Sequence, residues 1–154
     1  MAWRRKPSDL EQLDPKGRKA ALKAALCQRV VDGVPVGILG YRDGEPVAWC
    51  SIAPRATYRP LGGPTEPTGE DAIWSIACFF VKRPYRGQGM MHRLLDAAVA
   101  HARRQGARIV EAYPVDPDSP SYRYMGIVDV FERAGFERAG RAGSRRHVVR
   151  LALD

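Results

Sequence analysis

Arg86, Gly87, Gln88, Gly89, Met90 and Met91 stand between an apolar run, IACFFV (76–81), and a stretch of helical period, MHRLLDAAVAHARR (91–104). Two glycines one residue apart at a strand-to-helix junction let the backbone turn sharply and let a ligand approach it closely. The first N–H groups of a helix have no internal partners, and the helix dipole adds positive potential there. The arrangement therefore suits an anion, a phosphate above all. Two phosphate loops are excluded by the neighbouring residues. A nucleoside triphosphate loop needs Gly-Lys and then Ser or Thr, whereas Met90 and Met91 follow Gly89. A dinucleotide turn needs Gly or Ala three places after Gly89, where His92 stands.

Glu111 is the acidic group of most chemical interest, because it interrupts an apolar strand between Val110 and Ala112. Facing a cleft, it would be desolvated, its pKa would rise and it could act as a base. Facing solvent or paired with an arginine, it is structural. Tyr113, Tyr122 and Tyr124 supply hydroxyls nearby in sequence. His92, His101 and His147 show no Ser or Cys partner pattern, so a nucleophilic triad has no support. The three cysteines, Cys27, Cys50 and Cys78, are odd in number, far apart and in apolar surroundings. Neither a disulfide framework nor a zinc site fits that spacing, so no metal is expected and buried free thiols are.

The elements that must position these groups belong to a chain of 154 residues, 45% apolar and 27% charged, which predicts one domain over residues 1–154. A net charge of +8 could favour nucleic acid, an acidic surface or a polyanionic small molecule. The basic residues are spread over the N-terminus, the 83–104 segment and the tail, with no RNA-binding aromatic signature, which argues against nucleic acid. No window approaches the ~18 apolar residues of a membrane span. The start, MAWRRKPSDLEQ, lacks the apolar core of a signal peptide, so no membrane and a cytoplasmic location are expected.

Ser8 and Glu11 could form a capping box, and Asp14 before Pro15 predicts a helix over about 15–31 with Leu22, Ala25, Leu26 and Val30 as its apolar stripe. VGILGY (36–41) and PVAWCSI (46–52) form a hairpin across Asp43-Gly44. Residues 53–71 hold four prolines and three glycines and are expected to form a long mobile loop. AIWSIACFFV (72–81) is too continuously apolar for a solvated face and predicts a central strand. A helix over 90–104 presents Met91, Leu94, Leu95, Ala98 and Ala102 on one side, and RIVEAYPV (108–115) is the next strand. A short helix within 124–134 closed by Gly135, a short strand near 136–141 and a last strand over 145–153 complete a mixed α/β layer fold.

The motif Arg86, Gly87, Gln88, Gly89, Met90, Met91 resembles the acyl-CoA pyrophosphate loop of the GNAT N-acetyltransferase superfamily: Arg or Gln, two residues, Gly, one residue, Gly or Ala. The strand before it, the helix and strand after it and FERAGF (131–136) follow in family order, so the resemblance spans roughly residues 20–150. More specifically, the CFFV, RG.G and EAYPV blocks resemble a bacterial subgroup. Met91 departs from the motif, standing where Gly or Ala is usual; its side chain either shifts the cofactor or points into the core.

The resemblance implies a GNAT-like, largely antiparallel sheet flanked by helices and splayed between its fourth and fifth strands. It implies acetyl transfer from acetyl-CoA to a primary amine by direct attack, with a small-molecule acceptor expected. A protein amino group or a non-catalytic acyl-CoA sensor are the alternatives. Phe80 and Val81 match the strand end that bonds the pantetheine arm, and the amides of residues 87–91 would hold the pyrophosphate. Lys82, Arg83 or Arg93 would meet the remaining phosphate. The family's strand Glu, often its base, is matched by Ser75, which needs a water relay to serve. The family's Tyr acid is matched by Phe131, which has no hydroxyl. Tyr124, then Tyr122 and Tyr113, are the substitutes. Cys78 could attack a thioester, yet its apolar run favours packing. The opening MAWRRK is similar to a Met-x-Trp-Arg block that lies inside related chains. A shortened domain lacking the usual first strand, a misplaced start, or a partner completing the edge as a homodimer would each account for that.

Overall fold

The computed structural model describes residue 4, residue 8 and residues 11–64 and 72–153. Helix α1 (Pro15–Val31) starts where the sequence predicts, because the Asp14 carboxylate accepts the Gly17 N–H at 2.6 Å and Pro15 needs no partner at N1. Its stripe is shallower than expected. Leu22, Ala25 and Leu26 are only half-buried and Val30 is 58% exposed, since α1 faces the 56–59 segment across a hollow of about 930 Å³ instead of lying on the sheet. Cys27 on this helix is exposed, correcting the expectation of three buried thiols, whereas Cys50 is buried.

Strands β1 (Ile38–Arg42) and β2 (Glu45–Pro54) form the hairpin, turning at Asp43 and Gly44 with φ of 51° and 80°. Two consecutive left-handed residues match the twist of the strands they join. β3 (Ile73–Val81) lies antiparallel to β2; β4 (Ile109–Ala112), β5 (Glu137–Ala142) and β6 (Arg146–Ala152) complete a sheet of order β1-β2-β3-β4-β6-β5. Between these strands the pairing is antiparallel except for β3 with β4. β1 stands at the edge with Leu39 and Tyr41 exposed. No helix among the described residues is long and apolar enough to cross a membrane.

Helix α2 (Met90–Arg104) buries Leu94, Leu95, Ala98 and Ala102, and with α3 (Val128–Arg133) it covers one face of the sheet. A smaller cluster of Tyr58, Leu61, Ala77, Tyr113 and Met125 lies apart from it. A β-bulge separates the two along β3: Ser51 pairs with Cys78 but Ile52 with Ile76, leaving Ala77 as the extra residue. Ile76 and Phe79, three apart, thereby share one core, which strict alternation forbids. This is why the run reads as apolar without a period. Residues 55–64, expected to be a mobile loop, instead form a 3-10 turn (Arg55–Thr57) and a packed segment with Tyr58 and Leu61 buried; the remainder of that loop, 65–71, lies outside the described residues.

The strand expected over 108–115 is shorter. The β3–β4 ladder ends where Ile76 meets Ala112, while β3 runs on to Val81. The chain after Ala112 stays beside β6, with the His147 N–H donating to Pro114 O at 2.9 Å and Val115 bridging Arg146, and so parts from β3. The sheet opens between these two strands.

Arg4 is tied to the segment before β1 and to Tyr58. Its guanidinium donates to Pro35 O (3.2 Å), Val36 O (3.0 Å) and the Tyr58 hydroxyl (2.9 Å), and its Cζ lies 4.2 Å from the Tyr58 ring centroid. Burial lowers its pKa. Arg4→Ala is expected to lower stability by about 2 kcal/mol, since hydrogen bonds to a charged group contribute ~1.5–3 kcal/mol and some of this segment rehydrates. Urea denaturation checks this, and an unchanged midpoint would contradict it.

Candidate functional site

The glycine turn is built as its spacing suggests. Gly87 and Gly89 both have φ of 73°, in the left-handed region, and a Cβ on either would meet nothing within 4 Å. Glycine is therefore favoured there by backbone conformation, and the space in front of the turn is open. The first helical bond of α2 runs from the Arg93 N–H to Gly89 O at 3.3 Å. The amides of Met90, Met91 and His92 precede it, so they have no partner within the helix and stand at the positive end of a 15-residue helix.

In front of them lies a cleft of about 640 Å³. Phe79, Phe80 and Val81 from the end of β3 form one wall, and Arg86, Gly87, Gly89, Met90 and Met91 form a second. Arg123 and Tyr124 close the far side. The cleft opens at the point where β3 continues past its β4 ladder. Phe80 is 51% exposed, an apolar ring presented to this opening. Gln88, although in the motif, does not line the cleft. Its side chain braces the turn by donating to Pro84 O at 2.9 Å and accepting from Arg42 at 3.2 Å. Arg86 Nε donates to Val81 O at 2.9 Å, tying the turn back to the strand. Met91 reaches inward: a Cβ on Gly126 would lie 2.9 Å from its Cε and 2.5 Å from Phe131 Cε2. Its departure from the motif is thus absorbed by core packing.

Phe131 is fully buried, edge-on to Phe136 (centroids 5.2 Å apart) and Phe79 (6.0 Å). It packs behind the cleft and offers no proton. Tyr124 lines the cleft and is 43% exposed. Tyr122, its ring 6.3 Å from that of Tyr124, holds a left-handed backbone with φ of 62°. Cys78 is half-buried, and burial pushes its thiol up, which keeps it protonated.

Ser75 and Glu111 do not line the cleft. They face each other across the parallel pair, both fully buried. The Glu111 carboxylate takes Arg150 Nε on Oε2 at 2.8 Å and Arg55 Nη1 at 3.3 Å on Oε1 and 3.4 Å on Oε2, and the Tyr113 hydroxyl donates to Oε1. Ser75 Oγ lies 3.5 Å from the Tyr113 hydroxyl. Of the two environments the sequence allows for Glu111, this is the arginine-paired one. Burial, and next the Glu111 charge, push the Tyr113 hydroxyl far up, so it stays protonated and donates. Sequence reasoning passed over Arg55, Arg150 and Arg123. The first two lie 56 and 39 residues from the carboxylate that gathers them, and no local spacing signals such a contact.

The chain matches the model of the acetyltransferase (GNAT) family over residues 3–136. Among solved structures it is similar to an acetyltransferase (17% identity over 94% of this chain and 85% of that one, TM-score 0.65). It also resembles an N-acetyltransferase from Staphylococcus aureus Mu50 (15%, 94% and 80%, 0.60). A third likeness is to a ribosomal-protein-alanine N-acetyltransferase from Brucella melitensis (20%, 92% and 80%, 0.55). At these identities the likeness is one of fold. No curated protein matches the chain.

Proposed function

Because the chain belongs to the acetyltransferase (GNAT) family, we propose that it transfers an acetyl group from acetyl-CoA to a primary amine of a small molecule, by direct attack within a ternary complex. The observation that carries this reading is the single cleft that joins the open end of β3, the glycine turn and Tyr124. Its donor set suits the cosubstrate. Consecutive amides at a helix N-terminus match a pyrophosphate, and Phe79, Val81, Tyr85, Met90 and Met91 offer an apolar wall to a flexible pantetheine arm. Acetyl-CoA supplies an activated thioester carbonyl. The protein aligns it with the amine and provides for two protons, one leaving the ammonium and one reaching the thiolate.

For the second proton we assign Tyr124, the phenol in the cleft wall, in place of the hydroxyl that Phe131 lacks. The first proton leaves the ammonium for solvent water at the open cleft, because Ser75 and Tyr113, 3.5 Å apart, are fully buried and their hydroxyl pair ends on the Glu111 carboxylate. Both oxygens of Glu111 are engaged, so its part is to hold Tyr113 and the arginines in place. Tyr124→Phe is expected to lower kcat by about 100-fold, the lower end for removing a general acid, while the acetyl-CoA dissociation constant stays within about twofold. Steady-state thiol release against a panel of amines measures the first and calorimetric titration with acetyl-CoA the second. An unchanged kcat would move the acid elsewhere.

A second reading, an acyl-CoA-binding sensor without turnover, is favoured by the aromatic packing that fills the Phe131 position. Acetyl-CoA binding without thiol release in any amine panel would select it.

A further inference from the structure

Away from the cofactor cleft, a hollow of about 270 Å³ is lined by Arg55, Ala56, Tyr58, Arg59, Leu61 and Gly62, among others. Arg55 in its wall contacts the fully buried Glu111, which faces Ser75 in the last paired stretch before β3 and β4 part. The two arginines on Glu111 are not equivalent. Arg150 approaches at 2.8 Å, a normal distance for a charge-assisted hydrogen bond, whereas both Arg55 contacts, at 3.3 and 3.4 Å, are longer. Among the described residues Arg55 bonds through Nη1 alone, which leaves the rest of a five-donor fork at the edge of the hollow. Its side chain is 16% exposed, so an ion pair formed there would be largely screened from water. Arg59 lines the same hollow, and Arg146, which donates to Leu61 O at 2.9 Å, adds positive potential beside it.

We propose that Arg55 reads an anionic group on the acceptor, so that the preferred substrate is a small amine also carrying a carboxylate or a phosphate a short spacer away from its nitrogen. Glu111 is a positioning residue in this arrangement: it orients the Arg55 fork from behind without saturating it. The inference rests on the acetyl-CoA reading above and adds the class of the acceptor. Carboxylate and phosphate share the chemistry that a guanidinium fork recognises in paired hydrogen bonds.

The test is thiol release from acetyl-CoA with matched pairs of amines, amino acids against their decarboxylated amines and O-phosphoethanolamine against ethanolamine, alongside direct measurement of acetyl-CoA binding. In the unmodified protein, kcat/KM is expected to be at least about tenfold higher for the anionic member of one series, and which series shows it identifies the anion. Arg55→Lys, which keeps the charge and loses the fork, is expected to reduce that preference severalfold, and Arg55→Ala to abolish it, with acetyl-CoA affinity unchanged in both. Equal or better turnover of the neutral members, or acetyl-CoA binding with no turnover of any anionic member, overturns the inference. Absence of acetyl-CoA binding overturns the underlying reading instead. The comparison of substrates in the unmodified protein decides the matter even if an Arg55 variant fails to fold.

Discussion

Gly89→Asp is expected to weaken acetyl-CoA binding by at least about 100-fold while leaving the protein folded. The two effects separate because Gly89 has two roles. As the N-cap of α2 with φ of 73°, it needs a residue that tolerates the left-handed region, and a Cβ there would meet no protein atom within 4 Å. Aspartate is among the few side chains that visit this region, at a strain of about 1–2 kcal/mol that leaves a domain of ordinary stability folded. The same carboxylate would stand where the first amides of α2 are to hold a pyrophosphate. Two unit charges about 4 Å apart at an effective dielectric near 20 repel by ~4 kcal/mol, of which half suffices for most of the predicted loss. Calorimetric titration with acetyl-CoA and a thermal melt of the variant read the two effects independently. Retained affinity would place the cofactor elsewhere, and a lost fold would place the role of Gly89 in the backbone alone.

Glu111→Gln is expected to lower folding stability by about 3 kcal/mol. The carboxylate is fully buried and compensates Arg150 and Arg55, whose side chains are only 13% and 16% exposed. Removing one member of a buried ion pair leaves the others uncompensated, at a typical cost of ~3–5 kcal/mol, and glutamine keeps one acceptor for Tyr113. Because Glu111 lies outside the cofactor cleft, acetyl-CoA affinity at a temperature where the variant is folded should be unchanged. Urea denaturation followed by fluorescence checks the first expectation and calorimetry the second. A midpoint unchanged from the parent protein would mean that Glu111 does not bear the arginine charge, reopening its use as a base.

The parts of this molecule that depend on local chemistry are legible in the residues. Asp14-Pro15 sets the start of α1, Asp43-Gly44 sets the hairpin, and the glycine turn sets the start of α2. Most of the cofactor wall is legible for the same reason, since all its residues but Arg123 and Tyr124 fall within the short stretch from Phe79 to His92. What escapes sequence reading depends on distant partners. The bulge at Ala77 is fixed by the register with β2, and it, not alternation, decides which core Phe79 joins. The early end of β4 follows from the chain after Ala112 remaining with β6. The packing of residues 55–64 is set by Arg4 and by Arg146, which bonds Leu61 O from 85 residues away, while composition alone suggests mobility. Glu111 shows the limit most clearly. An acid in an apolar strand predicts burial, but its arginine partners, and with them its role, come from the turn after β2 and from β6.

The central claim, that the cleft between β3 and the N-terminus of α2 holds acetyl-CoA, is tested most directly by the melting temperature of the unmodified protein as acetyl-CoA is added. A ligand that binds only the folded state stabilises it by mass action, by about 2.7 kcal/mol at a hundredfold excess over its dissociation constant. A saturable rise in melting temperature that Gly89→Asp abolishes is the predicted result; no rise at millimolar acetyl-CoA would contradict the account.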